Sequence, residues 1–209
     1  MADYAYRRIS TKATGYRKIE ATIHLPNSSD ITIASGQTLY NYVGMRKDTG
    51  ATFDFEFGFG YDPGAGLGTQ FCLYRSIVPG IFQYETFRAN PGTKYRLLIA
   101  SENGTIKCYV YDSKNAEVFQ KNYIVANALN SGSGQVVRRM STLIVPTGGS
   151  AVGRNNRWSN TLVATSTTNN YATSSNCNQE NITSPPDQPW ISVTPTNPYY
   201  NETVNLDIR

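Results

Sequence analysis

The chain has 209 residues, of which 39% are hydrophobic and 16% charged, with 15 tyrosines and a formal net charge of +4. That length is enough for one sizeable β domain with its own core, so residues 1–209 are expected to form a single sandwich domain. Lys and Arg are scattered rather than gathered into the basic stripe that nucleic acid requires, and no apolar run approaches the ~18 residues of a membrane span, so neither nucleic acid nor membrane insertion is expected.

Abundant Thr, Ser, Asn, Gly and Tyr favour strands and turns over helices. Low Lys and Glu content and a Pro-rich C-terminal region suit a secreted bacterial protein. The opening "MADYAYRR" lacks an apolar signal core, and Met1 is read as preceding a processed N-terminus. With one His and no C-x-x-C pair, a zinc site is not expected. Cys72 and Cys108 fall in predicted strands, as buried free thiols or as a bridged pair, and Cys177 falls in the loop "SSNCNQE".

In chain order, strands are predicted over 16–25, 31–35, 38–47, 52–60, 69–77, 81–87, 94–101, 105–113, 117–125, 136–145, 158–166, 190–195 and 203–209. A single short helical turn is predicted within 122–132, closed by Gly132. The stretch "TFDFEFGFGYD" at 52–62 has the plainest pattern. Phe53, Phe55, Phe57, Phe59 and Tyr61 alternate with Asp54, Glu56, Gly58, Gly60 and Asp62, so the aromatic row faces a core and the acidic row faces solvent. Asp54 and Glu56 then stand roughly 6 to 7 Å apart on one face, at about 3.3 Å of rise per residue.

A hairpin is predicted over 94–113, with Asn103 and Gly104 taking the positive φ of a tight reversal. Its return strand buries Ile106, Cys108 and Val110 and presents Lys107, Tyr109 and Tyr111. Two tyrosines at i and i+2 on a sheet face are either ordinary cross-strand packing or a platform for stacking sugar rings. Beyond about 155 the chain becomes rich in Asn, Thr, Ser and Pro, yet Trp158, Leu162, Trp190, Val204 and Leu206 anchor it as long loops and outer strands of the same domain.

The hairpin "GTKYRLLIASENGTIKCYVYDS", the preceding "FEFGFGYD" and the terminal "TVNLDIR" resemble the concanavalin A-like jelly-roll superfamily of lectins, laminin G modules and glucanases. Taken whole, the chain is also similar to the small secreted proteins of bacilli called the YrpD type. The resemblance implies an all-β, antiparallel two-sheet sandwich with jelly-roll topology. It also implies a polysaccharide or cell-surface glycan as partner. Glucanases of that superfamily carry a strand of alternating acids. Here Asp54 and Glu56 are followed by Gly58 and Gly60, where a third acid would stand.

The expectation is therefore a secreted carbohydrate- or cell-surface-binding module, with Asp54, Glu56, Arg75, Tyr109 and Tyr111 as ligand contacts and no catalytic residue. A glycoside hydrolase or polysaccharide lyase is the alternative, using Asp54, Glu56 and Glu85; a structural surface or capsid-like protein is another. No cofactor is expected apart from calcium, for which Asp62 in "YDPGAG" and Asp187 in "PPDQPW" are the turn carboxylates available.

Overall fold

The computed structural model describes residues 2–47, 53–77, 81–125, 135–166, 168–197 and 199–209. In chain order the strands are β1 (Ala2–Thr11), β2 (Lys18–His24), β3 (Ile31–Thr32), β4 (Thr38–Lys47), β5 (Phe53–Tyr61) and β6 (Phe71–Ser76). They continue with β7 (Phe82–Ala89), β8 (Lys94–Glu102), β9 (Thr105–Tyr111), β10 (Glu117–Ile124) and β11 (Gln135–Pro146). The last are β12 (Ala151–Ala164), β13 (Asn169–Tyr171), β14 (Cys177–Ser184), β15 (Ile191–Asn197) and β16 (Asn201–Ile208). One sheet has the order β14-β1-β11-β4-β5-β6-β7, and the other β10-β9-β8-β2-β12-β16-β15, with β3 and β13 also paired to β12. Every pairing is antiparallel, which gives the expected two-sheet sandwich. No helix among the described residues is long and apolar enough to cross a membrane.

The phenylalanines of β5 form the middle of the core. Phe55, Phe57 and Phe59 are fully buried, while the Phe53 side chain lies outside the described part. They cross to the other sheet, where Phe55 meets Tyr123, Phe57 meets Phe119 and Phe59 meets Tyr95 at centroid distances of 5.7, 6.1 and 5.1 Å. Burial of these rings is the main source of stabilisation at this level, because apolar area removed from water dominates the favourable side of folding.

The interior also holds polar groups, and a chain of hydrogen bonds links several of them. Trp158 Nε1 donates to Ser141 Oγ at 2.8 Å, Ser141 Oγ donates to Asn41 Oδ1 at 2.6 Å, and Asn41 Nδ2 donates to Asn156 Oδ1 at 2.8 Å. Asn156 ends the chain by donating to the carbonyl oxygens of Gly153 and Val204. Nearby, the buried carboxylate of Glu202 on β16 accepts from Arg7 of β1 and, at 2.6 Å, from Arg139 of β11, tying the sheets together.

Several expectations change here. The segment 2–11, for which no strand is predicted from the sequence, is β1 between β11 and β14. Of the predicted helical turn, Asn122–Ile124 belong to β10, Val125 follows it as a buried core residue, and 126–132 lie outside the described residues. All three cysteines are free and buried, including Cys177, which starts β14 instead of sitting in a loop.

Candidate active site

The side of β5 expected to be wet is covered. Backbone pairing lays out the outer face of the seven-stranded sheet as rows of side chains. One row runs Met140, Tyr42, Gly58, Tyr74, Tyr84, and the next runs Arg138, Gly44, Glu56, Ser76. Gly58 and Gly60 leave room in these rows for aromatic rings. A Cβ on Gly60 would stand 2.8 Å from the Tyr40 ring, and one on Gly58 would stand 2.5 Å from Tyr42 Cα. Tyr40, Tyr42, Tyr74 and Met140 accordingly form a second apolar cluster on this face, with Tyr6, Phe82, Tyr84 and Ile144 packed against it.

Glu56 opens into a hollow of about 220 Å³ walled by that cluster, including Tyr6, Tyr40, Tyr42, Phe82 and Met140. Its side chain is 18% exposed. Burial raises the carboxyl pKa above the ordinary 4.5, repulsion from Asp54 adds to this, and Arg138 with the hydroxyls of Tyr42 and Tyr74 opposes it. Those hydroxyls flank the carboxyl without being saturated by it. Tyr42 Oη donates to Met140 Sδ at 3.0 Å, and Tyr74 Oη is buried with no close hydrogen-bond partner among the described residues. Arg138 reaches Glu56 across Gly44, its Nη2 lying 3.2 Å from Glu56 Oε1 and also against Asp54 Oδ1. Farther along the wall Tyr84 donates to Asp62 Oδ2 at 3.0 Å, and Asp62 Oδ1 caps the turn at Ala65.

The residues expected to act together occupy three places. Asp54 and Glu56 share the cleft. Arg75 and Glu85 turn the other way, toward the second sheet, where Glu85 accepts from Lys121 and, at 2.8 Å, from Tyr123. Those cations and the Tyr123 hydroxyl hold the Glu85 carboxyl below its ordinary pKa against the opposing effect of burial, so it is an ion-pair anchor and not a third acid for the cleft. Tyr109 and Tyr111 stack at 6.2 Å on the outer face of the nine-stranded sheet, where the Arg96 guanidinium lies 3.8 Å from the Tyr111 centroid. They belong to the opposite side of the molecule from Asp54 and Glu56.

Alternation in "VVRRM" could have placed Arg138 and Arg139 on opposite faces. Nothing in the sequence shows that β11 lies two strands from β5, so Arg138, Tyr42, Tyr74 and Met140 escape a sequence reading of the site. For calcium, no group of three or more His, Cys, Asp or Glu side chains able to hold a metal ion occurs among the described residues. Asp62 serves its turn and Tyr84, and Asp187 sits at a φ of 59° in a turn.

No family model matches the sequence, and no curated protein is similar to it. Solved structures do share the fold. A scytalido-glutamic peptidase with a transition state analogue inhibitor has a TM-score of 0.66 at 11% identity, covering 96% of this chain and 97% of its own. The same kind of peptidase with a peptide-based transition state analogue gives 0.66 at 9% identity, with coverage of 97% and 98%. An Eqolisin-family peptidase in complex with the tripeptide Ala-Ile-His gives 0.62 at 10%, with coverage of 96% and 97%. At such identities the likeness is one of fold.

These findings correct the expected function. The three structures that cover the chain almost fully are described as peptidases, not lectins, so the carbohydrate-binding module with a glycan partner is withdrawn, and the separation of Tyr109 and Tyr111 from the acids removes its single aromatic-polar face. The concanavalin A-like resemblance holds only as a two-sheet antiparallel sandwich, and the likeness to the YrpD type finds no support.

Proposed function

We propose that the chain is a peptidase in which Glu56 moves the proton of the reaction. One observation carries this: Glu56 is a carboxyl drawn out of water, with a raised pKa, at the floor of an aromatic-walled hollow on a sheet face. Such a group is poised to exchange a proton under mildly acidic conditions, and perturbed carboxyls in clefts are where catalysis is first sought. The full-length likeness to peptidases named for glutamic acid supports peptide as the substrate.

The chemistry needs a single carboxyl used twice. Ionised Glu56 takes a proton from a water molecule as the water oxygen bonds to the scissile carbonyl carbon. The carbonyl oxygen gains the negative charge, and the hydroxyl of Tyr42, which lines the hollow with Glu56, is a donor placed to answer it. As the tetrahedral species collapses, the C–N bond breaks and protonated Glu56 returns its proton to the departing amide nitrogen. The products are one carboxyl and one amine, and the enzyme is regenerated. Asp54 is a positioning residue, because it holds Arg138 and so fixes the cation that tunes Glu56.

The test is incubation with a mixed peptide pool between about pH 3 and pH 7, read by mass spectrometry, for the wild type and Glu56→Gln. Loss on the order of 10²-fold or more in the variant, with its unfolding transition retained, is expected for removal of a general base. Absence of cleavage at every pH, or equal activity in Glu56→Gln, refutes the proposal.

A further inference from the structure

The outer face of the seven-stranded sheet carries a second hollow, of about 200 Å³, on the other side of Arg138 from the aromatic one. Its lining differs in kind: Arg8, Lys12, Arg46 and Arg138 stand with Ser10 and Asn178. The two hollows meet at the ion pair between Arg138, which lines the second, and Glu56, which lines the first. The face is thus apolar and aromatic on one side of the reactive carboxyl and cationic on the other.

The strands set the length of this arrangement. Ile144 of β11 borders the aromatic end and Val136 of the same strand borders the cationic end. Eight residues of strand span about 26 Å at 3.3 Å each, which is the length of an extended peptide of about eight residues. Arg8 sits at the junction, with its guanidinium 5.8 Å from the Tyr6 centroid and paired with Glu180. Arg138 is answered by Asp54 and Glu56. Lys12 Nζ donates to the carbonyl oxygen of Ser174 at 2.6 Å. Four cations and no carboxylate are found among the described residues that line this end, and a substrate carboxylate placed there meets several guanidinium and ammonium groups at once.

We propose that the cationic hollow is a specificity site, so that the cleft prefers extended peptides with a large apolar side chain on one side of Glu56 and a carboxylate about three residues along on the other. This rests on the peptide-cleft function proposed above, and deepens it by naming the substrate class. The carboxylate can be an Asp or Glu side chain or the free C-terminus, since both offer the same planar acceptor pair to Arg.

Binding separates this from catalysis. Fluorescent octapeptides with a reduced, uncleavable bond after Phe are compared near pH 6 by anisotropy in three versions. One has Glu at the third position beyond Phe with an amidated end, one has Lys there with an amidated end, and one is a truncated peptide ending at that position in a free carboxylate. The Glu peptide is expected to bind on the order of tenfold tighter than the Lys peptide, as one charge-assisted contact implies. Arg46→Glu and the exposed Lys12→Glu are each expected to shrink or reverse that preference. If the truncated peptide matches the Glu peptide, the site takes either source of carboxylate; if it falls to the Lys peptide, it takes side chains only. Equal binding of Glu and Lys peptides, no binding of any peptide, or a preference that survives both charge reversals overturns the proposal. Tight binding of the Glu peptide without cleavage of its ordinary-amide counterpart would refute the peptidase function and leave the specificity site standing. Cleavage without carboxylate preference would do the reverse.

Discussion

Gly44 places only a hydrogen where any other residue would set a carbon 2.9 Å from the carbonyl oxygen of Phe55 and 3.2 Å from Arg138 Nε. That gap is how Arg138 crosses from β11 to Glu56. Gly58 is more tightly held, because a Cβ there would stand 2.2 Å from the carbonyl oxygen of Asn41, and backbone cannot step aside as a side-chain tip can. Gly58→Ala is therefore expected to lower stability by about 1 to 3 kcal/mol in urea unfolding, the usual cost of overpacking. The sequence marked Gly58 and Gly60 as a departure from a row of acids. What it could not show is that tyrosines from the neighbouring strand fill the space, since that follows from register between β4 and β5.

The same residues set the response to pH. The folded-state pKa of Glu56 lies above its unfolded value, so the native state holds the proton more tightly; its contribution is complete below the unfolded pKa and is lost as pH rises through the folded one. Glu56→Gln removes that loss. Its stability relative to the wild type should rise from about pH 4 to neutrality, and a flat difference in unfolding free energy would contradict the burial of this carboxyl. Arg138 works in the opposite direction, lowering the Glu56 pKa. In Arg138→Gln the acid limb of the peptidase pH profile should move to higher pH, a shift that mere loosening of the fold would not give.

At the scale of elements, β5 lies inside its sheet, with phenylalanines buried inward and, outward, glycines under tyrosines beside the partly exposed Asp54 and Glu56. Its period of two made the inward face legible, and the burial of Phe55, Phe57 and Phe59 agrees with it. Phe57→Ala should cost about 3 to 5 kcal/mol by urea unfolding, since the site is closed by Phe119 and cannot collapse freely. The β8–β9 hairpin was equally plain, with Asn103 and Gly104 at φ values of 48° and 70°. β1, β13 and β14 fall where no strand is predicted and β12 is predicted only from residue 158; β1 and β12 show the physical reasons. β1 alternates like a strand, but Arg7 occupies an inward position, and only its partner Glu202, 195 residues away, makes that burial tolerable. β12 runs to 14 residues because Asn155 and Asn160, at φ values of 55° and 52°, mark irregularities that let one strand pair with several neighbours, so its apolar period breaks twice.

For the whole molecule, Glu202 with Arg7 and Arg139 joins β16 of one sheet to β1 and β11 of the other. Its charge is balanced only by the assembled sandwich. Glu202→Ala would leave two guanidinium groups buried without their anion and should cost about 3 to 5 kcal/mol, a loss readable in the unfolding midpoint. The inner faces of the sheets thus fix the fold, while the outer face of the seven-stranded sheet is left to carry the cleft. The central claim is that Glu56 is a desolvated, proton-exchanging carboxyl. Its site-resolved carbon NMR titration, assigned by comparison with Glu56→Gln, tests that most directly. A midpoint above the ordinary 4.5, coincident with the acid limb of peptide cleavage, is the expected result. A midpoint at or below that value would mean that the Arg138 pair keeps Glu56 as an ordinary structural carboxylate, and would contradict its role in the reaction.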